Sequence, residues 1–235
     1  MSVTNLIVYI FLSAASLISC LTKKLTMAGA VTGGIIGLLI YKGAGLTGLL
    51  LLATFFIVGT AATKWQAGKK PTIGAVDKND DQRTAGQVLA NGGVAAVLGL
   101  VAWLSPDKVG AAQLVIAGSL AAATADTLSS ELGMIYGSRF FNILTFKKDE
   151  CGRDGVISME GTLIGLIGAM LIAGAYSAMI GWSLSFYLIV LAGLIGNLVD
   201  SVLGALLERR GLMGNNAVNF LNTLAGALIC WLLLA

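Results

Sequence analysis

Histidine is absent from this 235-residue chain. A His-ligated metal and a His general base are therefore both excluded. Cysteine is scarce. Cys20, Cys151 and Cys230 are odd in number and scattered, so neither a disulfide framework nor a thiolate metal site follows. Two prolines leave few helix breakers. Charge is thin too: 11% of residues are Asp, Glu, Lys or Arg, against about 25% in soluble domains. What fills the chain instead is apolar sequence, 57% of the residues, in runs of about 17 to 25 that recur along almost the whole length. No remaining stretch is long enough for a separate soluble domain.

These features predict an all-α fold: a polytopic transmembrane helical bundle of about eight helices, forming one integral-membrane domain over residues 1–235. The expected spans are 5–21, 25–41, 46–62, 84–104, 111–132, 161–180, 184–207 and 217–235. Leu17-Ile18-Ser19-Cys20 has the form of a lipoprotein cleavage box. Lys23 and Lys24 follow that apolar run, whereas a secretory signal carries its basic end first, so no cleavage is expected. The 31 glycines suit close helix packing, as in Gly33-x-x-x-Gly37 and Gly161-x-x-x-Gly165, although that spacing also arises from glycine abundance alone.

Charge orients the bundle. With the third loop in the cytoplasm, all but Lys42 and Lys108 of the 15 Lys and Arg fall on the cytoplasmic side, and both termini lie outside. Two long loops, 64–83 and 133–160, are then cytoplasmic. Both mix charge signs with glycine and offer little apolar surface to bury, so they are expected to be ordered by a ligand. Basic loops also serve topology and anionic lipid.

Polar residues inside the spans point to a site. Arg83, Gln87 and Asn91 form an i, i+4, i+8 stripe, and Asp126, Ser130 and Gly133 form another with Thr127 and Glu131 on the adjoining ridge. Asp200 and Glu208 lie at the inner end of the seventh span. Asn215, Asn219 and Asn222 open the eighth. All four stripes lie toward one leaflet. Asparagine can serve interhelical hydrogen bonding alone, but two in-span aspartates at matching depth favour a site. A short echo, Ala125-Asp126-Thr127-Leu128 against Val199-Asp200-Ser201-Val202, suggests a pseudo-twofold about the membrane normal.

Carboxylates with amide oxygens make a hard-oxygen environment suited to Mg²⁺, and the nearby Lys and Arg suit phosphate. Together they suggest phosphoryl transfer. No Walker loop is present, because Gly68-Lys69-Lys70-Pro71-Thr72 lacks the required spacing. The pattern of CDP-alcohol transferases is missing as well, since Asp154-Gly155 is not followed by Ala-Arg.

Five blocks carry a resemblance: Gln87-Val88-Leu89-Ala90-Asn91-Gly92-Gly93; Ala125-Asp126-Thr127 through Ser130-Glu131-Leu132-Gly133; Asp154-Gly155-Val156-Ile157-Ser158 with Gly161-Thr162; Asp200-Ser201 with Gly204; and Asn219 with Asn222. In this order they resemble the integral-membrane family that includes plant phytyl-phosphate kinase, from about Lys64 to the C-terminus. The resemblance implies a nucleotide-dependent kinase, using CTP, that converts an isoprenyl monophosphate to the diphosphate. It carries over Asn91, Asp126, Glu131, Asp200 and Asn219. The family's third block often reads Gly-Gly-Val-Ser, which differs here. No transit peptide precedes the first span, so a prokaryotic plasma membrane is the expected location.

In the resulting expectation Asp126, Asp200 and Glu131 hold Mg²⁺ and are catalytic. Lys64, Arg83 and Arg153 neutralise phosphate. Gln87, Asn91, Ser201, Asn215, Asn219 and Asn222 contact nucleotide or substrate. The partners are a nucleoside triphosphate, an isoprenyl monophosphate lipid and membrane lipid, with no nucleic acid. The competing reading is a transporter of an anionic or cation-coupled solute, which also shows intramembrane aspartates and repeated helices.

Overall fold

The computed structural model describes residues 2–69 and 82–234. Among the described residues, seven α-helices run in chain order: α1 Val3–Leu21, α2 Met27–Lys64, α3 Ala85–Leu104, α4 Val109–Tyr136, α5 Met159–Ile180, α6 Leu184–Leu203 and α7 Asn215–Leu232. A π-helical turn, Gly204–Glu208, continues α6. Of the loop at 64–83, residues 70–81 lie outside the described residues.

A straight α2 of 38 residues would be about 57 Å long, nearly twice the hydrocarbon thickness of a bilayer. Gly45, at φ 65° and ψ −152°, breaks it. A methyl on Gly37 would lie 3.6 Å from Leu52 Cδ2, although the two positions would stand about 22 Å apart along one straight helix. The two arms therefore fold back on each other. Gln113 Nε2 donates to the Ala44 carbonyl at the bend (3.0 Å) and ties α4 to it. With α2 doubled, the second and third expected spans become one hairpin helix. Six helices are long and apolar enough to cross a membrane among the described residues. The asparagine-rich α7 is not one of them, but it packs on α4, α6 and α3.

Helix α4 is the axis of the bundle and packs against α5, α6, α7, α2 and α3. Every residue from Leu114 to Ala125 is buried, as expected of a helix apolar on all sides. Small residues let its neighbours approach: Gly193 meets Ala121, Gly196 meets Ala122, and Gly226 meets the Gly118 carbonyl. Gly161 and Gly165 pack against Gly133, Ser129 and Ala125, so that glycine pair is a true helix contact. Helix α1 packs on α2 and turns Leu6, Ile7, Ile10 and Phe11 outward, toward lipid.

The segment between α4 and α5 corrects the expectation of a loop with little structure of its own. Helix α4 runs on to Tyr136, and β1 (Phe141–Asn142) pairs antiparallel with β2 (Val156–Ile157). Asn142 Oδ1 accepts from the backbone N–H groups of Leu144 (3.0 Å) and Thr145 (3.2 Å) and closes the first turn. Gly155 has φ +72°, and a Cβ there would collide with Ala205. Only glycine lets the hairpin lie against the π turn after α6. Arg209 holds the same docking through Asp149, donating from Nη1 to Oδ2 (2.5 Å) and from Nη2 to Oδ1 (3.3 Å).

Candidate active site

One cavity of about 440 Å³ lies at the end of the bundle where α3, α5 and α7 begin. Side chains cap two of these starts. Thr84 caps α3, and the Gln87 side chain returns the bond to the Thr84 N–H (2.8 Å) in a capping box. Ser158 caps α5 through the Gly161 N–H (3.0 Å). Gly214 precedes α7. Three helix N-termini thus meet at the cavity and favour negative charge there.

At its base Asp126 of α4 and Asp200 of α6 bring their carboxyl groups into hydrogen-bonding contact. Asn222 Nδ2 donates to Asp200 Oδ1 (3.3 Å). The stripes therefore converge, and the two echoed helices supply the central pair. Asn91 is 8% exposed; its Nδ2 donates to the Gln87 carbonyl (3.0 Å), while its Oδ1 has no hydrogen-bond partner. Arg83 donates to Thr63 Oγ1 (3.3 Å) and stands 5.9 Å over the Phe55 ring. Burial pulls its pKa down from the ordinary value, and the Glu131 carboxylate partly offsets this.

Of the expected residues, Arg83, Gln87, Asn91, Asp126, Glu131, Arg153, Asp200, Ser201, Asn215 and Asn219 line the cavity. Lys64 does not: it stands at the end of α2 beside Lys24, whose pKa it depresses. Asn222 is fully buried and reaches the site only through Asp200. Glu131 lies toward Arg83, and among the described residues no three acidic, His or Cys side chains come close enough to hold a metal. The expected Asp126–Asp200–Glu131 trio is thus a pair, because the Glu131 ridge diverges from the Asp126 stripe. Gln87 gives its oxygen to the helix cap, and Arg153 pairs with Glu150 (2.6 Å).

The cavity also takes in Asp154, Glu208, Asn197, Ser129 and Ser158, to which the sequence assigns no role in binding or catalysis. The helical period places Glu208 and Asn197 on the face of Asp200, and the cavity takes in all three. Asp154 comes from the hairpin; burial raises its carboxyl pKa and Arg209 pulls it back. Five carboxylates, of Asp126, Glu131, Asp154, Asp200 and Glu208, face two guanidinium groups, of Arg83 and Arg153. A phosphate would be repelled from such a site unless a divalent cation came with it. Two carboxylates in contact, with room for ligand oxygens, fit Mg²⁺, which takes one or two protein carboxylates and completes its shell from phosphate and water.

Residues 10–227 match the model of a known family, described as Integral membrane protein DUF92. The chain belongs to this family. The DUF92 match covers all seven helices except the ends of α1 and α7. Among relatives, an uncharacterized membrane protein of Methanocaldococcus jannaschii is 34% identical over 88% of this chain and 85% of its own length. Protein VTE6, chloroplastic, of Arabidopsis thaliana is 31% identical over 91% of this chain and 66% of its own length. Protein PGR of the same plant is 31% identical over 80% of this chain and 74% of its own. No solved structure matches. The family is the one that the motifs around Asn91, Asp126 and Asp200 suggested, and its members are multi-pass integral membrane proteins.

Proposed function

We propose that this protein is a nucleotide-dependent kinase, using CTP, that phosphorylates an isoprenyl monophosphate such as phytyl monophosphate at the cytoplasmic face of the membrane. The observation that carries the reading is the Asp126–Asp200 contact at the base of a cavity ringed by three helix N-termini. The family resemblance supports it from a different direction. Asp126 and Asp200 would hold Mg²⁺, which supplies charge neutralisation and alignment of the phosphates. Arg83 and Arg153 add positive charge at the rim. The N–H groups at the starts of α3, α5 and α7, with Asn215 and Asn219, orient phosphate oxygens. An oxygen of the acceptor monophosphate forms the new bond to the terminal phosphorus of the nucleotide. The bridging P–O bond breaks, and its electron pair leaves with the nucleoside diphosphate. The acceptor is already anionic at neutral pH, so no general base is needed, in keeping with a chain that has no histidine.

A transporter would need a path past the cavity. Below Asp126, α4 is buried from Leu114 to Ala125 and carries only two small hydroxyls there, Ser119 and Thr124, with neighbours packed on alanine and glycine, which favours a closed floor. Titration of the purified protein with Mn²⁺, read by electron paramagnetic resonance, tests the reading. A kinase should bind Mn²⁺ much more tightly when CTP is present, and Asp126→Asn should abolish that gain. Tight binding indifferent to nucleotide would favour the cation-coupled alternative.

A further inference from the structure

A second cavity, of about 270 Å³, lies between α1, the two arms of α2 and the start of α3. Its wall is apolar, with Phe11, Gly33, Gly34, Leu52 and Phe56 among the lining residues. Three residues line this groove and the polar cavity alike: Arg83, Gln87 and Asn91. We infer that the groove between α1, α2 and α3 holds the isoprenyl chain of the acceptor, with its phosphate delivered past Arg83, Gln87 and Asn91 to the polar cavity. The inference rests on the kinase reading and adds to it where the lipid lies and which residues select it.

An amphipathic lipid phosphate needs an apolar slot and a polar chamber that share a doorway, and these two cavities share three residues. The doorway is built for such a ligand. Asn91 is buried yet keeps its Oδ1 without a partner, and Arg83 lays its guanidinium over Phe55 on the groove side while reaching Thr63 at the polar cavity. The groove also has the right direction. Along α1 it runs from Ser19, near the polar end, to Phe11, about 12 Å deeper at 1.5 Å per residue. That is less than half the hydrocarbon core, and Phe11 is exposed at the far part along α1, so a longer chain passes on into lipid. Space is available at one identified point. A Cβ on Gly33 would meet nothing closer than Leu25 Cδ1 at 3.8 Å and Val88 Cγ1 at 3.9 Å. A larger side chain there enters the groove without displacing a helix.

The test uses the full chain in lipid nanodiscs and geranylgeranyl monophosphate bearing a diazirine on the chain. Photolabel should map to peptides of α1 and of both arms of α2. Unlabelled geranylgeranyl monophosphate should compete it away, while geranylgeraniol and phosphatidylglycerol should not. Gly33→Leu should lower the labelling and raise KM for geranylgeranyl monophosphate at least about tenfold, with kcat little changed, as for lost uniform binding. CTP-dependent Mn²⁺ binding should be unaffected. Label on α5 or α6, no specific label, or label competed equally by the alcohol would overturn the groove. The two readings fail separately. Phosphoryl transfer with label elsewhere removes the groove and leaves the kinase. Specific groove labelling without transfer to any prenyl phosphate removes the kinase and leaves a lipid-phosphate site.

Discussion

Asp200→Asn should separate stability from activity. Asp200 touches the Asp126 carboxyl group and accepts from Asn222 Nδ2 at 3.3 Å. Two like charges 4 Å apart repel by about 1 kcal/mol in water and about 4 kcal/mol at an effective dielectric of 20. The Asn222 donor and the helix N-termini at the cavity offset part of this, so the net strain in the metal-free site is on the order of 1 kcal/mol. The asparagine keeps the acceptor for Asn222 and offers an N–H to Asp126. Metal-free protein should therefore unfold at a slightly higher temperature than wild type. Removing the charge takes away one of the two anionic groups that would bind Mg²⁺. Phosphoryl transfer should fall at least about a hundredfold, or roughly 2.7 kcal/mol of transition-state stabilisation. The assay pairs thermal unfolding in detergent with transfer from labelled CTP over a range of Mg²⁺ concentrations. A folded variant with wild-type transfer at every Mg²⁺ concentration would refute the reasoning, leaving Asp200 as a structural partner of α7.

Asn222→Ala should cost less activity than Asp200→Asn, since it removes one neutral donor; equal losses in the same assay would mean that Asn222 holds ligand itself. Gly155→Ala should destabilise the docked hairpin by about 1 to 3 kcal/mol, because an alanine must adopt a positive φ and also meets Ala205; unchanged unfolding temperature and activity would show that the hairpin does not need that contact. The Arg209 guanidinium holds the Asp149 pKa at about 2, below the roughly 3.9 of a free aspartate. A depressed acid contributes its stability above the free value and loses it as pH falls through the folded one, so an environment-sensitive label at Lys148→Cys should read a constant signal from neutral pH to about 4 and change below. Arg209→Gln should abolish that pH dependence. In intact cells of a prokaryotic host, the same cysteine should react only after the inner face is opened; reaction from outside would invert the topology.

The bundle was largely legible in the sequence because lipid demands long apolar helices. Even the α2 hairpin was readable, since Lys42-Gly43-Ala44-Gly45 interrupts a run too long for one crossing. Convergence of Asp126, Asp200 and Asn91 followed from helical period and shared depth. Period gives a face but not a distance. For that reason sequence alone places Lys64 at phosphate, although it lies one residue beyond the cavity's Thr63 and stands beside Lys24. Asn222 likewise shares a face with Asn215 and Asn219 but donates to Asp200. The hairpin over the site was hidden because two-residue strands carry no alternation to read, and their register depends on the fit of Gly155 against Ala205. Asp154 entered the site with that hairpin.

The central claim is phosphoryl transfer to a lipid phosphate. Its most direct test is to incubate the purified protein with phytyl or geranylgeranyl monophosphate, Mg²⁺ and γ-labelled CTP or ATP, and to separate the lipid products. Label should appear in the prenyl diphosphate, with CTP as the better donor, and should vanish when Mg²⁺ is chelated or Asp126 is changed to Asn. Folded wild-type protein that binds CTP and Mg²⁺ yet leaves every prenyl monophosphate unlabelled would contradict it.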